Sequence, residues 1–276
     1  DNHFQAYVLD KEEDIEYIQA ALGVQIDRTY ILFDSSAQKE LLLDPEDCLN
    51  RQYLRFVNEF TEFPRVDVFS EKVFEALNAC VQDFMSLPSD EMLIRCVDEA
   101  FTLYRIVEKK LMEPYINRVF STIDEFLEIA RSILNRRMSR AGKSFEDQVH
   151  YVLSAHGIEH DVQPRSIPGR PDIIIPSEAA YQDKSFPIEN IVLLAIKTSC
   201  KERWRQVLKE GQRIKTKHLL TLQPGISPKQ LEEMKASSVQ LVVPKQNQVN
   251  YQKNIMELWT IQRFIDHVKE LQHGQN

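Results

Sequence analysis

The chain has 276 residues, 43% hydrophobic and 28% charged, with a formal net charge of −8 at pH 7. That is an ordinary globular composition with enough apolar residues for a sizeable core. It excludes a transmembrane helix, because no apolar run approaches the roughly 20 residues a bilayer span requires.

The charge is unevenly placed. Residues 1–62 hold five Lys/Arg against fourteen Asp/Glu, a net of −9, so the remainder is close to +1. From Ile196 to Lys217 there are eight Lys/Arg and only Glu202 and Glu210 as acids. Arg136, Arg137, Arg140 and Lys143 form a second block. Local field rather than total charge governs attraction of a phosphate backbone, so the acidic total does not exclude a nucleic-acid partner. Four cysteines without a C-x-x-C pair read as reduced thiols of a cytoplasmic protein, and the seven histidines form no ligand cluster, so zinc is not expected. The N-terminus carries no signal-peptide pattern.

In chain order, residues 1–62 form a small acidic segment, with an amphipathic helix over Asp14–Leu22 and a strand over Thr29–Phe33. Residues 63–134 read as helical. Ser70-Glu71 starts a helix with Val73, Phe74, Leu77, Val81 and Phe84 on one face, and Ser89-Asp90 caps a second with Leu93, Ile94, Val97, Phe101, Tyr104 and Val107 inward. Ile123, Phe126, Leu127, Ala130 and Leu134 continue the pattern, and such stripes are core or dimer interface. Arg95 and Arg105 are surface residues unless they face DNA. Residues 135–276 complete the fold. A basic loop from Asn135 leads into a helix with Phe145, Val149, Val152 and Leu153 on one face, placing Glu146 one turn inside its start. There it is either a third acid near a metal or a favourable charge at a helix N-terminus.

The informative stretch is Arg170 to Glu210. Arg170-Pro171-Asp172 enters the apolar run Ile173–Ile175, and a second run, Ile191–Ile196, ends in Lys197. A basic helical segment follows and carries Glu210. Strands over His218–Leu222 and Val239–Val243 and helices from Ser227 to Lys235 and from Glu257 to Leu271 complete an α/β sandwich with a mixed central sheet. Singly, each polar residue has an ordinary reading: Pro-Asp starts turns, and a lysine at a strand end is solvated. Together, an acid at a strand, a lysine ending the next and an acid one element later suit phosphodiester cleavage. Carboxylates hold a hard divalent cation that polarises the phosphoryl oxygen, and a fixed ammonium offsets the charge that develops. Glu210 falls three residues after Val207 and four before Ile214, so a helix there sets a carboxylate on an apolar face, where a ligand belongs.

The segments Leu134–Glu146, Arg170–Asp172, Tyr181–Pro187, Leu194–Gln206, His218–Gln223 and Val239–Pro244 resemble the catalytic domain of EcoRII/PspGI-like type II restriction endonucleases, within the PD-(D/E)XK nuclease fold. The resemblance covers about residues 64–272. It implies a restriction-endonuclease-like α/β core, Asp172, Lys197 and Glu210 as catalytic residues, Tyr181 close by and Glu146 as a further member. Asp172 and Glu210 would bind Mg²⁺, and the second acid sits on a helix instead of two residues before the lysine, where this chain has Ala195. The resemblance further implies base reading by Lys201, Glu202 and Arg203, which suits the chemistry of G·C pairs in the major groove. Arg205, Arg136, Arg137, Arg140 and Arg95 are candidates for the DNA backbone or for flipped bases. The implied protein is a homodimer in a prokaryotic cytoplasm that cuts double-stranded DNA at a palindrome of CC(N/W)GG type, such as CCWGG, before the first C, with base flipping at the centre. The competing readings are a repair or junction nuclease without sequence specificity and a non-catalytic DNA-binding module of the same fold.

Overall fold

The computed structural model describes residues 47–116, 119–200, 203–252 and 254–273. The helix and strand expected before residue 34 lie outside them. The chain divides into two compact units, Asp1–Phe63 with Leu103–Ala141 and Pro64–Thr102 with Gly142–Asn276.

The second unit carries the sheet. Five strands, β1 (Asp161–Val162), β2 (Ile173–Ile175), β3 (Val192–Lys197), β4 (Lys217–Thr221) and β5 (Val239–Val242), lie in that order across it. β1–β2 and β2–β3 pair antiparallel, whereas β3–β4 and β4–β5 pair parallel. The sheet is therefore mixed, as expected. β2 and β4 are buried along their whole length. Burial without alternation belongs to strands covered on both faces, and in β4 it takes in Lys217, His218 and Thr221 as well as the two leucines.

One face packs Ile174, Leu193, Ala195, Leu219 and Leu241 into a cluster with Trp204, Leu231 and Met234. The last two come from a helix at Pro228–Ala236, capped as expected by Ser227, whose hydroxyl accepts the Gln230 N–H. The helix Ile261–His273 sits on the opposite face, where Phe264 and His267 pack around buried His218. A helix over Val66–Cys80 lies against the second half of the helix Ile123–Ala155, with Phe74 stacked on Tyr151 and Gln148 donating to the Ser70 carbonyl. In the first unit, the helix Cys48–Asn58 buries Tyr53, Phe56 and Val57.

Three expectations change. The basic block at Arg136–Lys143 is not a loop: Ile123–Ala155 is one helix of 33 residues, with Glu146 in its interior. Arg, Lys, Met and Ala are good helix formers, and the single Gly142 costs only about 1 kcal/mol, too little to break it. Of the cysteines, Cys96 and Cys200 are free and buried, but Cys48 and Cys80 are disulfide-bonded. Cysteine spacing along a chain does not report which sulfurs meet in space.

Asp90 does not cap the helix it begins. Its buried carboxylate accepts the backbone N–H groups of Lys245 (2.8 Å) and Ile261 (3.1 Å) at Oδ1 and of Gln262 (3.1 Å) at Oδ2. It thus closes the start of the last helix from a distant part of the chain. Hydrogen bonds to a charged acceptor contribute about 1.5–3 kcal/mol each. Asp90→Ala should lower the urea unfolding free energy by about 2–4 kcal/mol, and Asp90→Asn by less. Unchanged unfolding midpoints would remove Asp90 from this role.

Candidate active site

The site is built where the start of β2 lies beside the end of β3. The antiparallel register pairs Ile173 with Leu194, which brings Asp172, just before β2, alongside the last residues of β3. Asp172 Oδ2 accepts from Lys197 Nζ at 2.7 Å and from the Ile196 N–H at 2.6 Å. Both side chains are largely shielded, at 13% and 15% exposure. Asp172 Oδ1 has no hydrogen-bond partner among the described residues, so one oxygen is fixed and the other is available.

Glu210 arrives differently from the expectation. The helix after β3 is a single turn, Trp204–Val207, and Glu210 lies in the turn that follows, its N–H donating to the Val207 carbonyl at 3.1 Å. Val207, Glu210 and Ile214 are all buried, as their spacing predicts, but Gly211 ends the helical course. Gly211 has φ +48°, a region that favours glycine, and a Cβ there would press on Leu193 Cδ1 at 2.7 Å. Lys217 holds the turn from below. Its buried ammonium donates to the Gly211 and Ile214 carbonyls at 2.6 Å each, and burial lowers its pKa.

Burial and then the nearby charge of Asp172 push the Glu210 carboxyl up to about 7, against the opposing pull of Lys197 and Lys217. Glu210 Oε2 is buried with no hydrogen-bond partner among the described residues. Leaving a carboxylate oxygen unpaired in that setting is costly unless a cation meets it. Among the described residues no group of three or more His, Cys, Asp or Glu is assembled for a metal. Two carboxylates do suit Mg²⁺, which keeps several waters and takes further oxygens from a bound phosphate. The residues present therefore fit a hard divalent cation held by Asp172 and Glu210.

Glu146 joins from the long helix. Its Oε2 accepts from Gln163 Nε2 at 2.8 Å and from Lys143 Nζ at 3.4 Å. Burial, followed by the charge of Asp172, raises its pKa. Tyr181, in the short helix Glu178–Gln182, is buried in the core cluster. Its carbonyl accepts from Arg213, whose guanidinium lies 5.3 Å from the Tyr181 ring centroid. The structure thus brings together Asp172, Lys197, Glu210 and Glu146, and gives no polar contact of the Tyr181 hydroxyl with them among the described residues.

Lys201 and Glu202 lie outside the described residues, and Arg203 is exposed just before the one-turn helix. Arg205 pairs with Glu233 at 2.6 Å and lies over Trp204. In the first unit Arg137 makes a two-pronged pair with Glu108, at 2.8 and 2.5 Å, and Arg136 and Arg140 lie over Phe63. Arg95, half-exposed in the second unit, makes one long contact with Glu99 at 3.8 Å. Sequence reasoning missed Gln163 and Lys217, since neither type nor spacing marked them; Gly211 carried a signal as a helix stop.

A family model described as EcoRII C terminal matches residues 104–265. The type II restriction enzyme EcoRII of Escherichia coli is 40% identical over 183 residues, 65% of this chain and 45% of that protein. The type II restriction enzyme SsoII of Shigella sonnei is 27% identical over 160 residues, 54% of this chain and 52% of its own length. The chain spans about half the length of these curated relatives. The fold is shared with metal-depleted Ecl18kI in complex with uncleaved, modified DNA (TM-score 0.61, 20% identity, 85% of this chain and 86% of that one). It is shared as well with the PspGI–substrate DNA complex (TM-score 0.61, 17% identity, 77% and 94%).

The raised pKa of Glu210 has a direction that can be measured. Its folded pKa, about 7, lies above the ordinary 4.5, so its contribution to stability is complete below about pH 4.5 and lost as pH rises through about 7. In chelator, the unfolding free energy should fall over that window by an amount on the order of 3 kcal/mol at most. Glu210→Gln should flatten that part of the profile, and Mg²⁺ should reduce it in the unmodified chain. Identical pH profiles for the two proteins would show that Glu210 is not the group concerned.

Proposed function

The chain belongs to the EcoRII C-terminal family, and from that premise we propose that it is a type II restriction endonuclease. It uses Mg²⁺ and, as a homodimer, cuts double-stranded DNA at a short palindrome of CC(N/W)GG type, CCWGG, before the first C. The observation that carries this reading is the meeting of Asp172 and Lys197 at 2.7 Å beside the unpartnered, buried Glu210 Oε2. Further support comes from the two curated relatives, both type II restriction enzymes, and from the two solved structures of the same fold, both held with DNA.

Asp172 and Glu210 would hold Mg²⁺, and the chemistry it would supply is Lewis-acid polarisation of the phosphate and activation of the attacking water. Asp172 keeps Oδ2 on Lys197 and offers Oδ1. Lys197 supplies a fixed cation for the charge that develops on the phosphoryl group, with little reorganisation because Asp172 already orients it. Glu146, with its raised proton affinity, is the further acid, oriented by Gln163. Tyr181 acts from the core behind the site. Lys201, Glu202 and Arg203 read adjacent G·C pairs, with Arg donating to guanine and Glu accepting from cytosine. Arg95, Arg136, Arg140, Arg137 and Arg205 contact the DNA backbone or flipped bases, the last two by exchanging their carboxylate partners for phosphate. In domain terms, residues 1–62 are a small acidic segment and 63–276 the catalytic domain, with a helical part at 63–134 and the nuclease core at 135–276.

The homodimer has support of its own. Ile123, Phe126 and Leu127 lie at helical spacing and are 78%, 50% and 49% exposed. An exposed apolar stripe on one helix face suits packing against a second copy of the chain. Phe126→Glu should move the protein toward monomer in sedimentation and turn double-strand cutting into nicking; an unchanged dimer would remove this stripe from the interface.

Digestion of DNA of known sequence with Mg²⁺ tests the activity itself. Discrete fragments with ends at CCWGG are expected, and none with Lys197→Ala, which should still bind the site. A smear would indicate a nuclease without sequence specificity. Cutting that survives Lys197→Ala would overturn the assignment of the site.

A further inference from the structure

The segment from Gln163 to Arg170, between β1 and β2, runs past all three acidic residues of the site, touching the carboxylate of Glu146 and the backbone at Asp172 and Glu210. At one end the Gln163 N–H donates to the Asp172 carbonyl at 2.8 Å, and its side-chain amide donates to Glu146. At the other, the Pro168 carbonyl accepts the Gly211 N–H at 2.9 Å. Gly169, at φ +84°, lies so near the Glu210 turn that a Cβ would stand 2.7 Å from Glu210 Cα. Between these anchors is a cleft of about 530 Å³ lined by Gln163, Arg165, Arg170 and Asp172.

Two guanidinium groups in a cleft with the proposed metal-binding aspartate need an explanation. Arg170 is exposed, and its guanidinium has no hydrogen-bond or ion-pair partner among the described residues. Its backbone is held in the left-handed region, φ +48°, with its N–H on the Ile167 carbonyl at 3.0 Å, a conformation uncommon for a residue other than glycine. Arg165, also exposed, is near Glu178, whose carboxylate already accepts the Ser166 N–H at 2.5 Å. By contrast, Arg137 and Arg205 are committed to carboxylates.

The electrostatics of the site call for such groups. Asp172, Glu210 and Glu146 converge within one region, and a DNA strand brought there meets like charge. Arginine keeps its charge at all working pH values, and its planar fork matches two phosphate oxygens. We propose that Arg165 and Arg170 clamp a backbone phosphate of the DNA strand beside the one that is cut, holding the strand over Asp172. The clamp rests on the restriction-endonuclease reading of the same site. Its contacts are to phosphate, so it acts on every sequence alike and positions the strand without reading bases.

The test measures binding of the full chain to a CCWGG duplex and to an unrelated duplex, with calcium replacing magnesium, across 50–200 mM salt. Arg165→Gln and Arg170→Gln should each weaken both complexes by the same factor. Each should also reduce the slope of log K against log salt by about 1 for every phosphate no longer neutralised. Arg165→Lys and Arg170→Lys should retain most of the slope, since the charge remains. Unchanged slopes in both Gln variants, with the unmodified chain binding and cutting DNA, would overturn the clamp alone. Weakening confined to the CCWGG duplex would also overturn it, in favour of base contacts. An unmodified chain that binds no duplex would overturn the clamp together with the nuclease reading. Urea unfolding of each variant separates damage to the fold from weaker phosphate binding, and the two positions are read independently.

Discussion

One carboxylate oxygen, Asp172 Oδ2, ties the site to the fold. It receives the Lys197 ammonium and the Ile196 N–H together, and that is possible only because β2 and β3 run antiparallel. In that register the residue entering β2 meets the residues leaving β3. Were the pairing parallel, Asp172 would stand at the Val192 end of β3, about 17 Å from Lys197 at strand spacing. β3 then turns to parallel pairing with β4, Lys197 lying across from Thr221. The change of sense at β3 is what separates a site-forming edge from a conventional α/β core.

The second acid depends on a different device. No strand or helix carries Glu210; two glycines and a lysine place it. Gly211 permits the turn, Gly169 permits the neighbouring loop to approach it, and Lys217 fills the carbonyls beneath. A buried carboxylate with an unpaired oxygen opposes folding, and the surrounding contacts must outweigh that cost. The raised pKa of Glu210 is the same statement in another form, because a group that resists ionisation among the protein's own groups gains the most from a cation beside it.

Much of this was legible in the sequence, and the reason is physical. The runs at Ile173, Ile191, His218 and Val239 are short and predominantly apolar, as strands covered on both faces are, and all four are adjacent strands. Asp172 and Lys197 were visible because they flank such runs. The helical course of the basic block was not, since charge draws the eye to solvent while Arg, Lys, Met and Ala extend a helix equally well. The one-turn helix before Glu210 was overextended for a related reason: a spacing of three and four residues marks a face, but a turn can bury the same residues. Gln163 and Lys217 lay beyond reach, because their partners are fixed by contacts between distant segments.

The cations between Ile196 and Lys217 show why counting charges overstates what a partner would feel. Lys217 is buried and spends its donors on backbone carbonyls; Lys197 is held by Asp172, Arg205 by Glu233, and Arg213 lies on Tyr181. Arg203, Lys209 and Lys215 remain exposed. Paired cations still contribute to a distant field, but their carboxylates nearly cancel them beyond a Debye length of roughly 8 Å at physiological salt. Attraction of a polyanion toward this half of the chain must therefore come from fewer, unpaired groups. Those facing the acidic cleft matter most, since there each fixed positive charge offsets repulsion from Asp172, Glu146 and Glu210 at short range.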